Sequence, residues 1–109
     1  MGYLSMQSDF CKEIGFTKDK FDGYLWSSEY NTITLSIVWS IYPGKGNFLT
    51  VLNNIKDRGY NILAYDTSKR MTKILEKFGF SKNEEYSCMY FIQDNTEPEI
   101  ILNHLDDKL

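Results

Sequence analysis

The sequence predicts an α/β (α+β) fold, a mixed and mostly antiparallel twisted sheet with helices on both faces. Three observations predict it. Two adjacent segments, 21–29 and 32–41, are rich in aromatic and β-branched residues, and Tyr30 and Asn31 lie between them, the pattern of a hairpin. Beyond them the apolar period changes from two to about 3.6 residues, once on each side of a short apolar run. Strand, helix and strand follow in short succession, which calls for parallel pairing through a right-handed crossover.

Taken in order, Met6, Phe10 and Ile14 recur at helical spacing after Ser5, with Gly15 ending the run; this predicts a short N-terminal helix. In the second hairpin strand Ile33, Leu35, Ile37, Trp39 and Ile41 share one face by strict alternation. That face is expected to pack on helices, with Thr34, Ser36, Val38 and Ser40 on the other. Phe48, Val51, Leu52 and Ile55 then form a helical stripe, with Lys56 and Arg58 in the last turn and Gly59 just past it, as the helix dipole and a left-handed cap favour. Residues 62–66 (ILAYD) suit a strand buried on both faces. Thr67 or Ser68 caps a second helix striped by Met71, Ile74, Leu75 and Phe78 and closed by Gly79. Tyr86 to Gln93 reads as a strand. Thr96-Glu97-Pro98-Glu99 is a capping box with proline in the first turn, opening a helix through Leu105.

With 109 residues the chain fits one domain over 1–109. Its 42% apolar and 25% charged residues, with 2 prolines and 7 glycines, exclude a disordered or low-complexity chain. Aromatics are 16% of the chain, enough to fill a core and leave some for a pocket or an interface. A net charge of -3 argues against nucleic acid as a partner, because neutralising phosphates needs a basic face. Cys11 and Cys88 lack metal spacing and read as reduced, buried thiols. The run from Ile33 to Tyr42 is too short and too polar to cross a bilayer, and Ser5, Gln7, Ser8 and Asp9 break any apolar leader. The expectation is a cytoplasmic protein with no membrane partner.

The segment Tyr42-Pro43-Gly44-Lys45-Gly46-Asn47 lies between a strand and a helix N-terminus. A glycine-rich turn there lets backbone N–H groups face a ligand while the helix dipole favours an anion. It is neither a P-loop, since no Gly-Lys-Ser/Thr occurs, nor a dinucleotide fingerprint, since the third glycine falls on Leu49.

Gly44-Lys45-Gly46-Asn47-Phe48, the positions Val51, Leu52 and Ile55, the strand Ile62-Leu63-Ala64 and the closing Ile74-Leu75-Glu76-Lys77-Phe78-Gly79-Phe80 occur in the order of one known pattern. The stretch from Ile33 to Phe80 resembles the core of the GNAT superfamily of N-acetyltransferases. There a strand enters an R-G-x-G-x-G/A turn, followed by a helix, a short strand and a helix ending in a Y-E-K-L-G-F-like sequence. The resemblance implies a GNAT-like core with a truncated N-terminal half, and acetyl-CoA as cosubstrate. The amides of Gly44, Lys45, Gly46, Asn47 and Phe48 would cradle its pyrophosphate, with Ser68 at the start of the second helix. The strand around Val38, Trp39 and Ser40 would splay from that at Ile62 to Asp66, a backbone N–H polarising the thioester carbonyl in the gap. An amine acceptor, either a small molecule or a protein lysine or N-terminus, would attack directly.

The chain departs from the family at Pro43 (Gln or Arg), Phe48 (Gly or Ala), Ser68 (Asn) and Leu75, where the family commonly has a tyrosine general acid. Substitutes for that proton donor are Asp66 and Tyr65 at the end of the buried strand, and Glu29 at the hairpin. His104, three residues from Asp107, reads as a surface residue, and Lys45, Lys69 and Arg70 as neighbours of phosphate. The alternative is a GNAT-like module without catalysis, acting in binding or inhibition through aromatics at Tyr24, Trp26 and Tyr30. These same residues would suit a homodimer interface or an acceptor site.

Overall fold

The computed structural model describes residues 2–106. In chain order the elements are β1 (Gly2–Leu4), α1 (Asp9–Ile14), β2 (Phe21–Ser28), β3 (Thr32–Ser40), α2 (Asn47–Asp57), β4 (Asn61–Tyr65), α3 (Lys69–Phe78), β5 (Ser81–Asn83), β6 (Cys88–Phe91) and α4 (Pro98–Asp106). The six strands form one sheet in the order β1-β2-β3-β4-β6-β5. Only the central pair β3–β4, joined through α2, is parallel; the other neighbours run antiparallel. The fold is therefore the mixed, mostly antiparallel α+β arrangement that the sequence predicts.

Helices cover both faces. On one, Cys11 and Ile14 of α1, Val51, Leu52 and Ile55 of α2 and Leu75 of α3 pack with Ile33, Leu35, Ile62, Ala64 and Met89 of the sheet. On the other, Ile101 and Leu102 of α4 pack on Leu63 and Cys88. β4 sends Ile62 and Ala64 to the first cluster and Leu63 to the second, so its continuous apolar run is that of a strand covered on both sides. Both cysteines are free and buried, and burial pushes the Cys88 thiol up to about 11.

The helix boundaries follow local chemistry. Ser8 caps α1, its Oγ accepting from the Cys11 N–H at 3.2 Å, and Gly15 closes the helix at φ 87°. Met6 therefore precedes the helix instead of lying in it, while still packing against the main core. Ser68 caps α3 and Gly79 closes it at φ 119°. The shortest strands depart more from the sequence pattern. β1 and β5 have three residues each, too few to show a period, and β5 pairs with a β6 shorter than the run from Tyr86 to Gln93.

One correction matters for the site. The sequence places Ile33, Leu35, Ile37, Trp39 and Ile41 on a single helix-facing side of β3. The pairing register shifts instead: Leu25 lies opposite Leu35 but Tyr24 lies opposite Ile37, which leaves Ser36 as an extra, bulged residue. Beyond the bulge the alternation is reversed. Val38 packs against the main core, whereas Trp39 is 72% exposed and Ile41 is also exposed. The side chains of Ile37 and His104, and Asp107 as a whole, lie outside the described residues.

The opposite end of β3 is fixed by a polar knot around the buried Asn61. Tyr30 and Asn31 both take positive φ in the hairpin turn. Buried Asn61 donates through Nδ2 to the Tyr30 carbonyl at 3.1 Å and to Asp94 Oδ2 at 3.0 Å, and its Oδ1 accepts from the Gln93 N–H at 2.9 Å. The Asn61 N–H donates to the Asn31 carbonyl, and Asn31 Nδ2 to that of Gly59. Bonds from Thr96, first its backbone N–H, hold the Asp94 carboxyl below the usual range, with Asn61 adding to the effect.

Candidate functional site: a cleft where β3 leaves β4

The pairing of β3 with β4 runs from Thr32 opposite Asn61 to Leu35 opposite Ala64, and goes no further among the described residues. β2 stays paired with β3 as far as Ser40. β4, for its part, carries its last residue, Tyr65, into a pairing with Cys88 of β6. The two parallel strands thus part at the Ser36 bulge, and the outer half of β3 is held from the β2 side alone. Because β3 and β4 are parallel, their C-terminal ends share one edge of the sheet, where the loops into α2 and α3 also lie.

A cleft of about 370 Å³ opens at this edge. Val38, Trp39 and Ser40 of β3, Tyr42, Pro43 and Gly44 of the turn, Asn47 and Phe48 of α2, and Ser68, Arg70, Met71 and Ile74 around α3 line it. Seven of the nine residues that the sequence assigns to a cofactor are gathered here: Val38, Trp39, Ser40, Gly44, Asn47, Phe48 and Ser68. Lys45 and Gly46 lie in the adjoining exposed turn. Val38, Phe48, Met71 and Ile74 make the apolar part of the lining, and Arg70 is its one charged residue. The chain as a whole is acidic, yet no carboxylate lines this cleft.

The two helices that meet here begin differently. α3 starts on Ser68, whose Oγ accepts from the Met71 N–H at 3.1 Å. α2 starts on Gly46, in the left-handed region at φ 79°, and no side chain caps it. Gly44, at φ 83°, takes the same conformation, and a Cβ on either glycine would meet nothing within 4 Å. Both glycines are therefore favoured by backbone conformation rather than by crowding, and open space lies beside the turn. The first N–H groups of α2 are left to solvent or a ligand at the positive end of the helix dipole. The Ser68 hydroxyl, in contrast, is already occupied as a cap.

The proton-transfer candidates separate. Tyr65 and Asp66 stand at and just past the C-terminal end of β4, and neither lines this cleft; Tyr65 is 36% exposed and Asp66 takes φ 54°, unusual for a residue with a side chain. Asp66 lines a second cleft, with Thr67, Thr72, Lys82, Glu84, Ser87, Cys88 and Met89. Glu29 is in the hairpin turn beyond Ser28, at the other end of β3. Nine residues of strand, about 25 Å, put it out of reach of the cleft. Leu75, at the family's tyrosine position, is fully buried in the main core.

The aromatics also divide in a way the sequence does not show. Tyr24 and Trp26 are half-buried, and β1 lies beside them, with Tyr3 opposite Trp26 and its ring 5.2 Å from that of Tyr24. Tyr30 is exposed in the distant hairpin turn. Trp39 and Tyr42, both more than half exposed, line the cleft. The sequence shows Trp39 as apolar and misses its exposure, because the bulge that turns it outward leaves no local signal.

Among the described residues no group of His, Cys, Asp and Glu could hold a metal ion, and no helix is long and apolar enough to cross a membrane. Comparison with protein-family models, with curated proteins and with solved structures finds no match to the chain.

Proposed function

We propose that the cleft binds acetyl-CoA and that the chain is a small, divergent GNAT-like N-acetyltransferase acting on an amine in the cytoplasm. One observation carries the reading: β3 parts from β4 at a bulge, and the gap leads to an uncapped helix start behind a glycine turn. The first feature makes room for a thioester between two parallel strands. The second offers unpaired N–H donors to a pyrophosphate, beside Arg70 and with no carboxylate in the lining. The apolar side chains Val38, Phe48, Met71 and Ile74 suit the uncharged arm between them.

In this reading acetyl-CoA brings the activated acyl group, and the protein orients it. The backbone of β3 beyond Ser36, freed from β4, supplies the N–H that polarises the carbonyl. The acceptor amine gives up a proton as it attacks. Tyr65 and Asp66, at the end of β4, are the groups assigned to that transfer and to protonation of the departing thiolate. Glu29 has no part in it.

A second reading has its own observation. Leu75 sits in the core where the family's acid would be, which favours a module that binds acetyl-CoA without transferring its acyl group. Thermal unfolding with and without acetyl-CoA tests the site, since a ligand at a hundred times its dissociation constant adds about 2.7 kcal/mol. No shift at millimolar acetyl-CoA overturns both readings, and a shift without thiol release across a panel of amines favours the second. Gly46→Asp and Gly46→Asn form a matched pair, as both side chains tolerate the left-handed conformation. Asp is expected to abolish the shift by facing the pyrophosphate with a carboxylate, and Asn to retain it. Asp66→Asn is expected to lower turnover at least tenfold with unchanged acetyl-CoA binding.

A further inference from the structure

The second cleft, about 370 Å³ in volume, enters the acetyl-CoA reading only through Asp66. Segments far apart in sequence converge on it. Asp66 follows β4, Thr72 lies on α3, Lys82 on the edge strand β5, and Glu84 and Ser87 in the turn before β6. Cys88 and Met89, from β6, are the buried part of its lining. The rim is held in an unfavourable conformation. Asp66 and Ser87 take φ 54° and 50°, and the Asp66 N–H donates to the Ser87 carbonyl at 3.0 Å. Tyr30 and Asn31, the other described residues with side chains in this region, make the tight turn between β2 and β3. Left-handed backbone outside glycine costs energy and gathers at binding sites.

Three charged side chains line the cleft, the carboxylates of Asp66 and Glu84 and the ammonium of Lys82. All three residues are exposed, and none is ion-paired among the described residues, where Arg58 and Glu13 form the one such pair. Opposite charges that line one space without joining leave both signs available to a ligand. The hydroxyls of Thr67 and Thr72, 2.6 Å apart, are engaged with each other, which leaves recognition to the charges. The complement of two carboxylates and one ammonium is a molecule with two cationic groups and one carboxylate. We propose that this cleft binds a basic amino acid, its cationic groups on Asp66 and Glu84 and its carboxylate on Lys82. The volume is that of a small-molecule pocket. The proposal goes beyond the acetyl-CoA reading, since binding here requires neither acetyl-CoA nor the glycine turn.

The test measures binding of L-lysine, L-ornithine, L-arginine, L-leucine and L-glutamate to the full chain, by calorimetry and thermal shift. The tightest of the three basic amino acids is expected to bind at least about tenfold better than leucine, and glutamate more weakly still. Its decarboxylated counterpart (cadaverine, putrescine or agmatine) isolates the contact with Lys82. Wild type should prefer the amino acid to that amine, and Lys82→Met should remove the preference. Glu84→Gln should reduce the preference for the basic amino acid over leucine by about tenfold. If both variants bind the basic amino acid as wild type does, or if none of the three binds wild type at millimolar concentration, the proposal is overturned. Neither result touches the acetyl-CoA reading, whose thermal shift is expected in both variants. Binding of a basic amino acid to wild type without any acetyl-CoA shift overturns that reading and leaves this one standing. Lys82 and Glu84 are exposed, so both variants are expected to fold, which unchanged circular dichroism would verify.

Discussion

The inner and outer halves of β3 contain similar residues in different surroundings. From Thr32 to Leu35 the strand is paired on both edges, and all four residues are buried. From Ser36 to Ser40 it is paired with β2 alone, and Trp39 stands in solvent. One bulged residue separates a half that holds the protein together from a half that is open to a ligand. The helices attached at this edge repeat the contrast. α3 has the Met71 N–H engaged by the Ser68 hydroxyl, while α2 begins at Gly46 with no side-chain cap. A site is most readily found where backbone and side-chain groups are left without an internal use.

The contrast can be broken by substitution, with the largest effect on the inner half. Leu35→Ala removes a buried side chain from the main core and should cost about 2–5 kcal/mol in urea unfolding. A loss below about 1 kcal/mol would show that the inner half is not the structural one. Deleting Ser36 should close the bulge without turning the strand over, because Val38 then follows Leu35 by two positions and stays inward while Trp39 stays outward. The expected result is an unchanged tryptophan emission maximum, continued pairing of β3 with β4 and loss of the acetyl-CoA thermal shift. A retained thermal shift would mean that the parting of the two strands at the bulge does not make the site.

Smaller effects sharpen the comparison between helix starts. Ser68→Ala removes the cap of α3 and should cost about 1 kcal/mol. With the helix start of α2 as the anion site, acetyl-CoA affinity in Ser68→Ala should change by no more than about twofold; a larger loss would move the phosphates to α3. The smallest effect on stability is expected from Trp39→Ala, within about 0.5 kcal/mol of wild type in urea. A loss above 1 kcal/mol would show the outer half to be a second structural region.

Most local signals hold in the structure, although α1 starts at Asp9 behind Ser8 and not behind Ser5. Ser68, Gly79 and Gly59 mark helix ends through side-chain and backbone chemistry acting over a few residues, and the spacing of Val51, Leu52 and Ile55 marks the buried stripe of α2. Tyr30-Asn31 marks the hairpin turn, and the continuous run Ile62-Leu63-Ala64 marks a strand covered on both faces. The glycine turn and most residues of the cleft were legible because strand, turn and helix adjoin in sequence. The face assignment of Trp39 was not, because alternation holds only while the register does, and the register is set by β2. Nor was the place of β1 beside Tyr24 and Trp26, since three residues have no period of their own.

The sequence by itself determined the order of the four helices and of β2, β3, β4 and β6, the mixed sheet and the glycine turn that leads into α2, all consequences of short-range dihedral preferences, capping and apolar spacing. Only the tertiary structure decided where β3 leaves β4, which way Trp39 faces and how far Glu29 lies from the cleft. Those depend on pairing between residues distant along the chain, where one inserted residue reverses every side chain beyond it.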